Sequence, residues 1–255
     1  MSSTERELKV KSILITQPQP EAGKNIYEDF SKKYKLKIDF RSFIQIEPMA
    51  PRDIRKQKVN FLDYTAIIFN SKNAVDYFFG LANEMKVEMP PETKYFSINE
   101  SVSNYVQKYI VPRKRKMYHG KGTEADFLTL FKNHSTEKFL FPCSDIRKPS
   151  IPDHFAKLGY SFTECIIYNT VSADLSDLAD VFYDILVFFS PADIKSLYDN
   201  FPDFVQNNTR IAAFGSSTQQ AIAECNLILD IAAPAPGIPS MLAALEGYVS
   251  KANKG

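Results

Sequence analysis

Small polar side chains stand directly behind several short apolar segments of this chain. Asn70 and Ser71 follow the segment AIIF, Ser190 follows ILVFF, and Ser144 follows FLFPC. Beyond the carboxyl end of a parallel strand, the backbone N–H groups that open the next helix point outward and bind anions. Small side chains leave these groups open and add a donor, although the same residue types also serve as ordinary helix caps. The candidate anion-binding residues are Thr16, Asn70, Ser71, Ser101, Ser144, Ser190, Ser216, Ser217 and Thr218.

No familiar catalytic motif accompanies these residues. The sequence contains no G-x-S-x-G, no GxxxxGK[ST], no GxGxxG and no H-E-x-x-H. The phenol of Tyr168, in the segment IIYNT, is a candidate proton donor, and packing of its ring is the alternative interpretation. The basic run from Arg113 to Lys116 is either an anion-binding patch or a solvated surface.

Composition argues against several classes of protein. Lys and Arg total 31 and Asp and Glu total 30, whereas a general nucleic-acid coat needs a basic surplus. The cysteines, Cys143, Cys165 and Cys225, are widely spaced, and the histidines lack metal-ligand spacing, so we expect no disulfide framework and no metal site. No apolar run reaches the roughly 18–20 residues that span a bilayer, and the first twelve residues are polar. We therefore expect a soluble, cytoplasmic protein that contacts neither membrane nor nucleic acid.

Short β-branched and aromatic runs alternate with longer amphipathic stretches, which predicts βα units that form a parallel sheet. The short runs are almost entirely apolar, as expected of strands that helices cover on both faces. The predicted strands are residues 12–16, 65–69, 94–96, 138–141, 184–189 and 210–214. The predicted helices are residues 23–34, 73–83, 99–109, 151–158, 191–201, 217–225 and 240–249.

Two segments alternate apolar and polar residues instead. Residues 36–47 and 160–171 show the period of half-exposed antiparallel strands. Each lies where one set of βα units gives way to the next. We interpret them as paired strands that connect two lobes.

The chain contains a degenerate duplication. The segment AIIFNSKNAVDYFF with Ser71 resembles ILVFFSPADIKSLY with Ser190, and KYFSINESVSNYV with Ser101 resembles RIAAFGSSTQQAI with Thr218. SILITQPQPEAGKNIYEDF also resembles KFLFPCSDIRKPSIPDHF. Three matches in the same order indicate two related halves. From the two alternating segments, which we interpret as connectors, we infer that the first βα unit joins the C-terminal half.

These segments resemble the uroporphyrinogen-III synthase family over residues 12–249. AIIFNSKNAVDYF is similar to its strand followed by Thr-Ser-x-x-Ala-Val. FLFPCSDIRKPSIPDHFAKLGYSFTECIIYNT is similar to its strand, arginine loop, helix and V-x-x-Tyr-x-Thr element, through Arg147, Gly159, Tyr168 and Thr170. IAAFGSSTQQAIAEC, followed by APAPGIPSMLAAL, is similar to its Gly-x-x-Thr turn and closing helix.

The chain departs from the family pattern at several positions. Gln17 stands where the family has the arginine of Thr-Arg-Pro, which bears on a carboxylate contact from that loop. Ile98 and Ser101 replace the glycine and threonine of the first-half turn, and Asn70 and Phe189 occupy usual threonine positions.

The resemblance implies an α/β fold of two flavodoxin-like parallel-sheet lobes joined by a two-stranded antiparallel connector. Lobe 1 would comprise residues 1–36 and 172–255, and lobe 2 residues 50–159. Residues 37–49 and 160–171 would be the connector strands. The family expectation is a monomer.

The resemblance also implies an activity that needs no cofactor. Hydroxymethylbilane, a linear tetrapyrrole with many carboxylates, would lose its ring-A hydroxyl to give an azafulvene. Attack by ring D would give a spiro intermediate, which reopens and closes as uroporphyrinogen III with ring D inverted. Tyr168 would assist hydroxyl departure, the hydroxyl residues would position carboxylates, and Lys72 and Arg147 would be charge partners. The upstream deaminase would be a transient partner.

Two other functions stay open at this point. Hinged α/β lobes also serve bilobed proteins that bind a small molecule or a tetrapyrrole without catalysis. A signalling module of flavodoxin-like type is the other alternative. The segments ILITQP and FLFPCS carry no paired aspartates at their strand ends, which counts against the signalling module.

Overall fold

A computed structural model describes residues 6, 8–20, 25–111, 116–147 and 149–254. Residues 113–115 of the basic run, and residues 23 and 24 of the first predicted helix, lie outside these ranges. The chain folds as two compact units. Unit 1 comprises residues 1–45 and 171–255, and unit 2 comprises residues 46–170.

The described strands and helices alternate along most of the chain. The strands are β1 (Ser12–Ile15), β2 (Lys37–Phe40), β3 (Ile44–Pro48), β4 (Ala66–Phe69), β5 (Lys94–Ser97), β6 (Met117–His119), β7 (Lys138–Ser144), β8 (Ser161–Ser172), β9 (Ile185–Phe188), β10 (Arg210–Phe214) and β11 (Leu229–Ala233). The helices are α1 (Glu28–Tyr34), α2 (Pro51–Lys56), α3 (Lys72–Glu84), α4 (Glu100–Val106), α5 (Glu124–Thr129), α6 (Ser150–Leu158), α7 (Pro191–Asn200), α8 (Ser216–Glu224) and α9 (Met241–Ala252).

The sheet of unit 1 is parallel, with the strand order β2-β1-β9-β10-β11. Successive residues of a strand point to opposite faces, so β1 sends Ile13 and Ile15 into a core shared with α1 and α9. Leu14 packs on the other face with side chains of α7 and α8. Because both faces are covered, nearly every residue of these strands is apolar.

The sheet of unit 2 has the order β3-β8-β7-β4-β5-β6, and its strands from β8 to β6 are parallel. Ile67 and Phe69 of β4 pack against α3 and α4. Ile68 packs on the opposite face with aromatic side chains of α5 and α6. This sheet is therefore also buried on both faces, and the α/β fold expected from the sequence is confirmed.

The connector strands are β3 and β8. The N–H of Met49 donates to the carbonyl oxygen of Ile167, and that of Ala173 donates to Phe43, so the two strands run antiparallel. One strand over residues 37–49 was the expectation, but β2 pairs with β1 and β3 pairs with β8. Phe43 interrupts the alternation because its side chain, 1% exposed, turns into the core of unit 1.

The two sheets are circular permutations of one arrangement. The order β2-β1-β9-β10-β11 of unit 1 corresponds to β8-β7-β4-β5-β6 of unit 2. In unit 1 the pair β1 and β2 comes first along the chain, whereas the corresponding pair β7 and β8 comes last in unit 2. The three duplicated segments occupy corresponding strands, β1 with β7, β9 with β4, and β10 with β5.

The sequence patterns missed the shortest and least regular elements. These include β6, which has three partly exposed residues, and the six-residue helices α2 and α5. Strand β11 was also missed because its sequence, LDIAA, is only partly buried and lacks a continuous β-branched run. None of the described helices has the length and apolar character needed to cross a membrane.

Candidate functional site

Several of the polar residues predicted from the sequence lie where the strand order of each sheet reverses, whereas Ser101 and the residues from Ser216 to Thr218 follow the next strands, β5 and β10. In unit 1 the chain leaves β1 for β2 on one side and β9 for β10 on the other, so Thr16 and Ser190 flank that point. In unit 2 the corresponding point lies between β7 and β4, beside Ser144 and Ser71. Ligands of open α/β sheets bind in the crevice at such points. Each unit therefore carries its own candidate anion site.

In unit 2, strand β4 leads into helix α3. Ser71 caps this helix, since its hydroxyl accepts the N–H of Ala74 at 3.1 Å. Within the described part of the chain, the N–H groups of Asn70 and Ser71 meet no acceptor. Asn70 Oδ1 is buried there without a hydrogen-bond partner. Lys72 opens the helix, with its Nζ 5.5 Å from the centre of the Tyr105 ring.

A hydrogen-bonded network closes the neighbouring end of β7. Ser144 Oγ lies 2.9 Å from Asp145 Oδ1 and 3.1 Å from Thr170 Oγ1, and the Thr170 N–H donates to the same Asp145 oxygen at 2.9 Å. Desolvation opposes ionisation of Asp145, but these donors outweigh it and hold the pKa of the carboxyl below its ordinary value. The network fixes the Ser144 hydroxyl beside an ionised carboxylate.

Tyr168 lies on β8 and packs against α3. Its side chain is 6% exposed, and its ring centre lies 5.1 Å from that of Tyr77. Burial raises the pKa of the phenol, and the nearby Ser71 hydroxyl partly opposes this effect. A phenol in this environment is protonated at neutral pH and can donate its proton close to the start of α3.

Arg147 is already bound within unit 2. Its Nη2 lies 2.7 Å from Glu164 Oε2, and its Nε donates to Oε1 of the same carboxylate. Its Nη1 also donates to the carbonyl oxygen of Asp145 at 3.2 Å. A two-pronged pair of this kind holds the guanidinium in place. The role of Arg147 as a charge partner for a ligand stays a prediction.

In unit 1, the strand end that corresponds to Ser71 carries its own carboxylate. Asp193 Oδ2 accepts the N–H of Phe189 at 3.1 Å and that of Ser190 at 2.9 Å, while Ser190 Oγ accepts the Asp193 N–H at 3.3 Å. Asp193 is 3% exposed, and burial raises its pKa against the effect of these hydrogen bonds. Thr16 lies beside this carboxyl group and is also buried. Pro191 lacks an N–H at the first helical position.

Helix α8, also in unit 1, begins without a side-chain cap. Its N-cap is Gly215, whose φ of 88° favours glycine. Ser216, Ser217 and Thr218 then supply the first N–H groups, which a helix leaves without internal partners. Thr218 is 1% exposed, and its Oγ1 has no hydrogen-bond partner among the described residues.

The corresponding helix of unit 2, α4, starts differently. Asn99 caps it, because its Oδ1 accepts the N–H of Val102 at 2.9 Å. The loop before α4 is one residue longer than the loop before α8. Ser101 therefore corresponds in helical position to Ser217 and not, as the sequence match suggested, to Thr218.

Asp193 is the main residue that the sequence reasoning missed. The spacing Ser190-x-x-Asp193 is that of a capping box, which both side chains complete, so the signal was available. Ser97, at the end of β5, has a buried hydroxyl without a partner in the described ranges. Two positions that depart from the family pattern lie in different surroundings. Gln17 is exposed, whereas Ile98 packs partly into the core.

The described residues include no group of three or more Cys, His, Asp or Glu that could hold a metal ion. Cys143 and Cys165 are buried, and burial raises the pKa of both thiols to about 12. Such thiols are unreactive at neutral pH.

Comparison with known proteins connects this architecture to a family. The family model described as uroporphyrinogen-III synthase HemD matches residues 31–243. The chain belongs to the uroporphyrinogen-III synthase family. It is therefore an enzyme of a family that acts in porphyrin biosynthesis. No match was found among curated proteins.

Two solved structures of uroporphyrinogen-III synthases resemble this chain. The enzyme from Helicobacter pylori 26695 aligns with a TM-score of 0.60 and 16% identity, over 94% of this chain and 99% of that chain. A mutant enzyme from Thermus thermophilus aligns with a TM-score of 0.51 and 12% identity, over 96% of this chain and 100% of that chain. At these identities the likeness concerns the fold.

Proposed function

We propose that the protein converts hydroxymethylbilane to uroporphyrinogen III, with inversion of ring D and loss of water. The strand ends support this proposal, because the N–H groups of Asn70 and Ser71 and the buried polar atoms of Asn70, Ser97 and Thr218 have no hydrogen-bond partner among the described residues. A buried polar atom without a partner is unfavourable unless a ligand supplies one. Membership of the family supports a tetrapyrrole as that ligand.

The starts of α3 and α8 would hold carboxylates of the substrate. Helix N-termini attract anions through their free N–H groups and the helix dipole. Ser71, Ser216 and Ser217 add hydroxyl groups, and Lys72 adds a positive charge. The remaining candidates, Thr16, Ser101, Ser144, Arg147 and Ser190, would contribute a hydroxyl or a charge beyond the internal contacts that several of them already make.

Tyr168 would act as the proton donor. As the carbon–oxygen bond of the ring-A hydroxymethyl group breaks, the phenol proton would pass to the departing oxygen, which leaves as water. The pyrrole N–H proton lost on forming the azafulvene would then return to the phenolate. The pKa of Tyr168, raised by burial, keeps the phenol protonated before the reaction.

Inversion of ring D would depend on positioning. Spontaneous closure of the linear substrate gives the uninverted isomer, so the enzyme must favour attack by the substituted carbon of ring D. Fixing the carboxylates of the substrate would bring the reacting carbons together, which is an orientation effect. The spiro intermediate would then reopen and close in the inverted sense.

A coupled assay tests this proposal. A deaminase makes hydroxymethylbilane in situ, and the uroporphyrin isomers are separated after oxidation. We expect mostly isomer III with the protein and only isomer I without it. Isomer I alone from a folded sample that binds the linear tetrapyrrole would favour the non-catalytic binding protein instead.

Other expectations from the family resemblance stay proposals. They are a monomer, a cytoplasmic location, a transient contact with the deaminase, and the lobe boundaries at residues 36, 50, 159 and 172. Varying the deaminase concentration in the coupled assay would reveal whether the intermediate passes through solution.

A further inference from the structure

Unit 2 contains a large cavity near the amino ends of strands β5 and β6. Its volume is about 860 Å³, and it is lined by α3, by the segment before β5 and by residues on either side of β6. This volume lies within the range of roughly 300–1,000 Å³ that is typical of small-molecule sites. The candidate anion-binding residues follow the opposite, carboxyl ends of the strands, so the proposed reaction assigns no role to this cavity.

The cavity is lined mainly by apolar and aromatic side chains. The rings of Phe79 and Tyr109 are stacked, with their centres 4.8 Å apart and an angle of 5° between their planes. The centre of the Tyr95 ring lies 6.2 Å from that of Phe79. Met89 and Met117 add flexible apolar side chains, which adapt to the shape of a ligand. This lining favours an aromatic molecule, which gains both ring contacts and apolar burial.

Two buried hydroxyl groups belong to residues of the same lining. Thr93 is 3% exposed, and its Oγ1 has no hydrogen-bond partner in the described parts of the chain. Tyr95 is also buried, and burial raises the pKa of its phenol to about 12, so the hydroxyl keeps its proton at neutral pH. A buried hydroxyl without a partner is unfavourable unless a ligand or a water supplies one. A ligand with an acceptor oxygen would supply it.

The charged side chains of the described lining favour an uncharged ligand. Asp76 Oδ1 already accepts the hydroxyl of Tyr109 at 2.5 Å. Lys116 forms an ion pair with Glu92. The remaining charged residue of this lining, Glu88, is exposed to solvent. No cation of the described lining is therefore left without a partner to hold an anion.

The corresponding space of unit 1 is bridged by a side chain. Residues 201–209 connect α7 to β10 and have the same length as residues 85–93, which connect α3 to β5. The side-chain amide of Gln206 donates to the carbonyl oxygen of Ile228 at 2.9 Å and accepts its N–H at 2.7 Å. This bridge joins the segment before β10 to the segment before β11. The position of Gln206 is occupied in unit 2 by Pro90, whose side chain can form no such bridge.

The threonines that directly precede β10 and β5 show a related difference. Thr209 Oγ1 donates to the carbonyl oxygen of Tyr183 at 3.1 Å, whereas Thr93 Oγ1 has no partner among the described residues. Unit 1 thus satisfies this hydroxyl internally. The cavity with its unpartnered hydroxyl is therefore a property of the sequence of unit 2 and not of the shared strand arrangement.

We propose that this cavity binds a small, uncharged aromatic molecule that carries an acceptor oxygen, such as an aromatic ketone or ester. The rings of Phe79, Tyr95 and Tyr109 contact its aromatic part. The hydroxyl groups of Thr93 and Tyr95 donate to its oxygen. The inference does not depend on the proposed function, because the cavity lies at the other end of the strands from the proposed tetrapyrrole contacts.

Methyl NMR of the full chain, labelled with ¹³C at the methionine methyl groups, tests the proposal with acetophenone as the probe. We expect the signals of Met89 and Met117 to shift in a saturable way, and that of Met241 in the core of unit 1 to stay unchanged. Ethylbenzene, which has a similar size but no oxygen, should bind about three- to tenfold more weakly, as expected for loss of a hydrogen bond. Benzoate, which carries a charge, should cause no saturable shift.

Substitutions in the lining locate the probe. Gly80 of α3 lines the cavity, and a Cβ added there would meet no atom within 4 Å. Gly80→Leu should therefore occupy part of the cavity and abolish the saturable response to acetophenone, whereas the matched control Gly80→Ala should retain it. Tyr95→Phe should weaken acetophenone binding about threefold, as expected for loss of one hydrogen bond, and leave ethylbenzene binding unchanged.

Three outcomes would overturn the proposal. The first is the absence of a saturable shift at Met89 and Met117, or an equal shift at Met241. The second is equal affinity for acetophenone and ethylbenzene, because the buried hydroxyl groups would then take no part in binding. The third is a shift of Met89 and Met117 with protein concentration alone, together with the mass of a dimer in light scattering, which would assign the cavity to a second copy of the chain.

Discussion

The two units share a strand arrangement but differ in the charge and hydrogen-bonding state of corresponding helix starts. Helix α3 of unit 2 begins with Lys72 and has Ala74 at its third position, whereas α7 of unit 1 begins with Pro191 and has Asp193 there. In the second pair of corresponding helices, α8 and α4, the helix of unit 1 is the one without an internal side-chain partner at its start. In unit 1, α8 has no side-chain cap, whereas α4 of unit 2 is capped by Asn99.

The difference shows that duplication of a fold does not duplicate its sites. A few residues at the strand ends decide which backbone N–H groups are open to a ligand, while the sheets and their cores stay alike. We therefore propose a carboxylate contact at α3 within unit 2 and another at α8 within unit 1. The following substitutions test which side chains and helix starts take part in the reaction.

The substitution with the largest expected effect on the reaction is Tyr168→Phe in unit 2. Tyr168→Phe keeps the buried ring but removes the proton, so kcat should fall about 100-fold or more, the usual contribution of a general acid. The KM should change little, because the phenol is proposed to act in the chemical step. Steady-state kinetics in the coupled assay measure both constants.

A tyrosine of unit 1 provides the matched control. Tyr183 precedes β9 at the amino end of that strand and is also buried, and its hydroxyl donates to Asp39 Oδ2 at 2.8 Å. Tyr183→Phe should lower the free energy of unfolding by about 1 kcal/mol and leave kcat unchanged. Equal losses of kcat in the two variants would remove Tyr168 from the chemistry.

The backbone at Gly215 is expected to give the next largest effect. An added Cβ would meet no atom within 4 Å, but the φ of 88° disfavours any other residue. Gly215→Ala should lower the free energy of unfolding by about 1–3 kcal/mol and raise the KM, because the start of α8 shifts. Gly247→Ala, in the interior of α9, should instead raise the free energy of unfolding by about 0.5–1 kcal/mol. Urea unfolding checks both variants, and destabilisation by Gly247→Ala alone would contradict this expectation.

Two buried threonines separate binding from stability. Thr218 and Thr93 both have hydroxyls without hydrogen-bond partners in the described structure, and both side chains are buried. Replacing either with valine should leave the free energy of unfolding unchanged or raise it by up to about 1 kcal/mol. Only Thr218→Val should raise the KM, by about three- to tenfold, since Thr93 precedes β5 at its amino end. An unchanged KM in Thr218→Val would remove this hydroxyl from the site.

The smallest effect is a pair of opposite pH dependences. Burial raises the pKa of Asp193, so the folded state binds its proton more tightly and the stability contributed by this group falls as the pH rises above about 4. The pKa of Asp145 is lowered, so its contribution is lost as the pH falls below about 4. Urea unfolding of Asp193→Asn and Asp145→Asn against the unmodified protein across this range should show slopes of opposite sign. Slopes of the same sign would contradict one of these two pKa directions.

Local patterns in the sequence predicted most of the buried strands. The runs SILI, AIIF and ILVF are apolar throughout, or nearly so, and their burial on both faces could be inferred without the structure. The split of residues 37–49 into β2 and β3 could not be inferred, because the break depends on Phe43 entering a core formed by distant residues.

The candidate site was predictable in composition but not in its internal bonds. The strand-end hydroxyls were found because helix starts favour small polar residues. The ion pair between Arg147 and Glu164 joins a loop to β8, and nothing in the local spacing indicates it. The bonds from the N–H groups of Phe189 and Ser190 to Asp193 likewise depend on three-dimensional geometry, although the capping-box spacing is visible in the sequence.

The isomer composition of the product tests the central claim most directly. In the coupled assay, increasing amounts of the protein should move the uroporphyrin from isomer I toward isomer III until isomer III predominates. A product that stays isomer I at every concentration of folded protein would contradict the account.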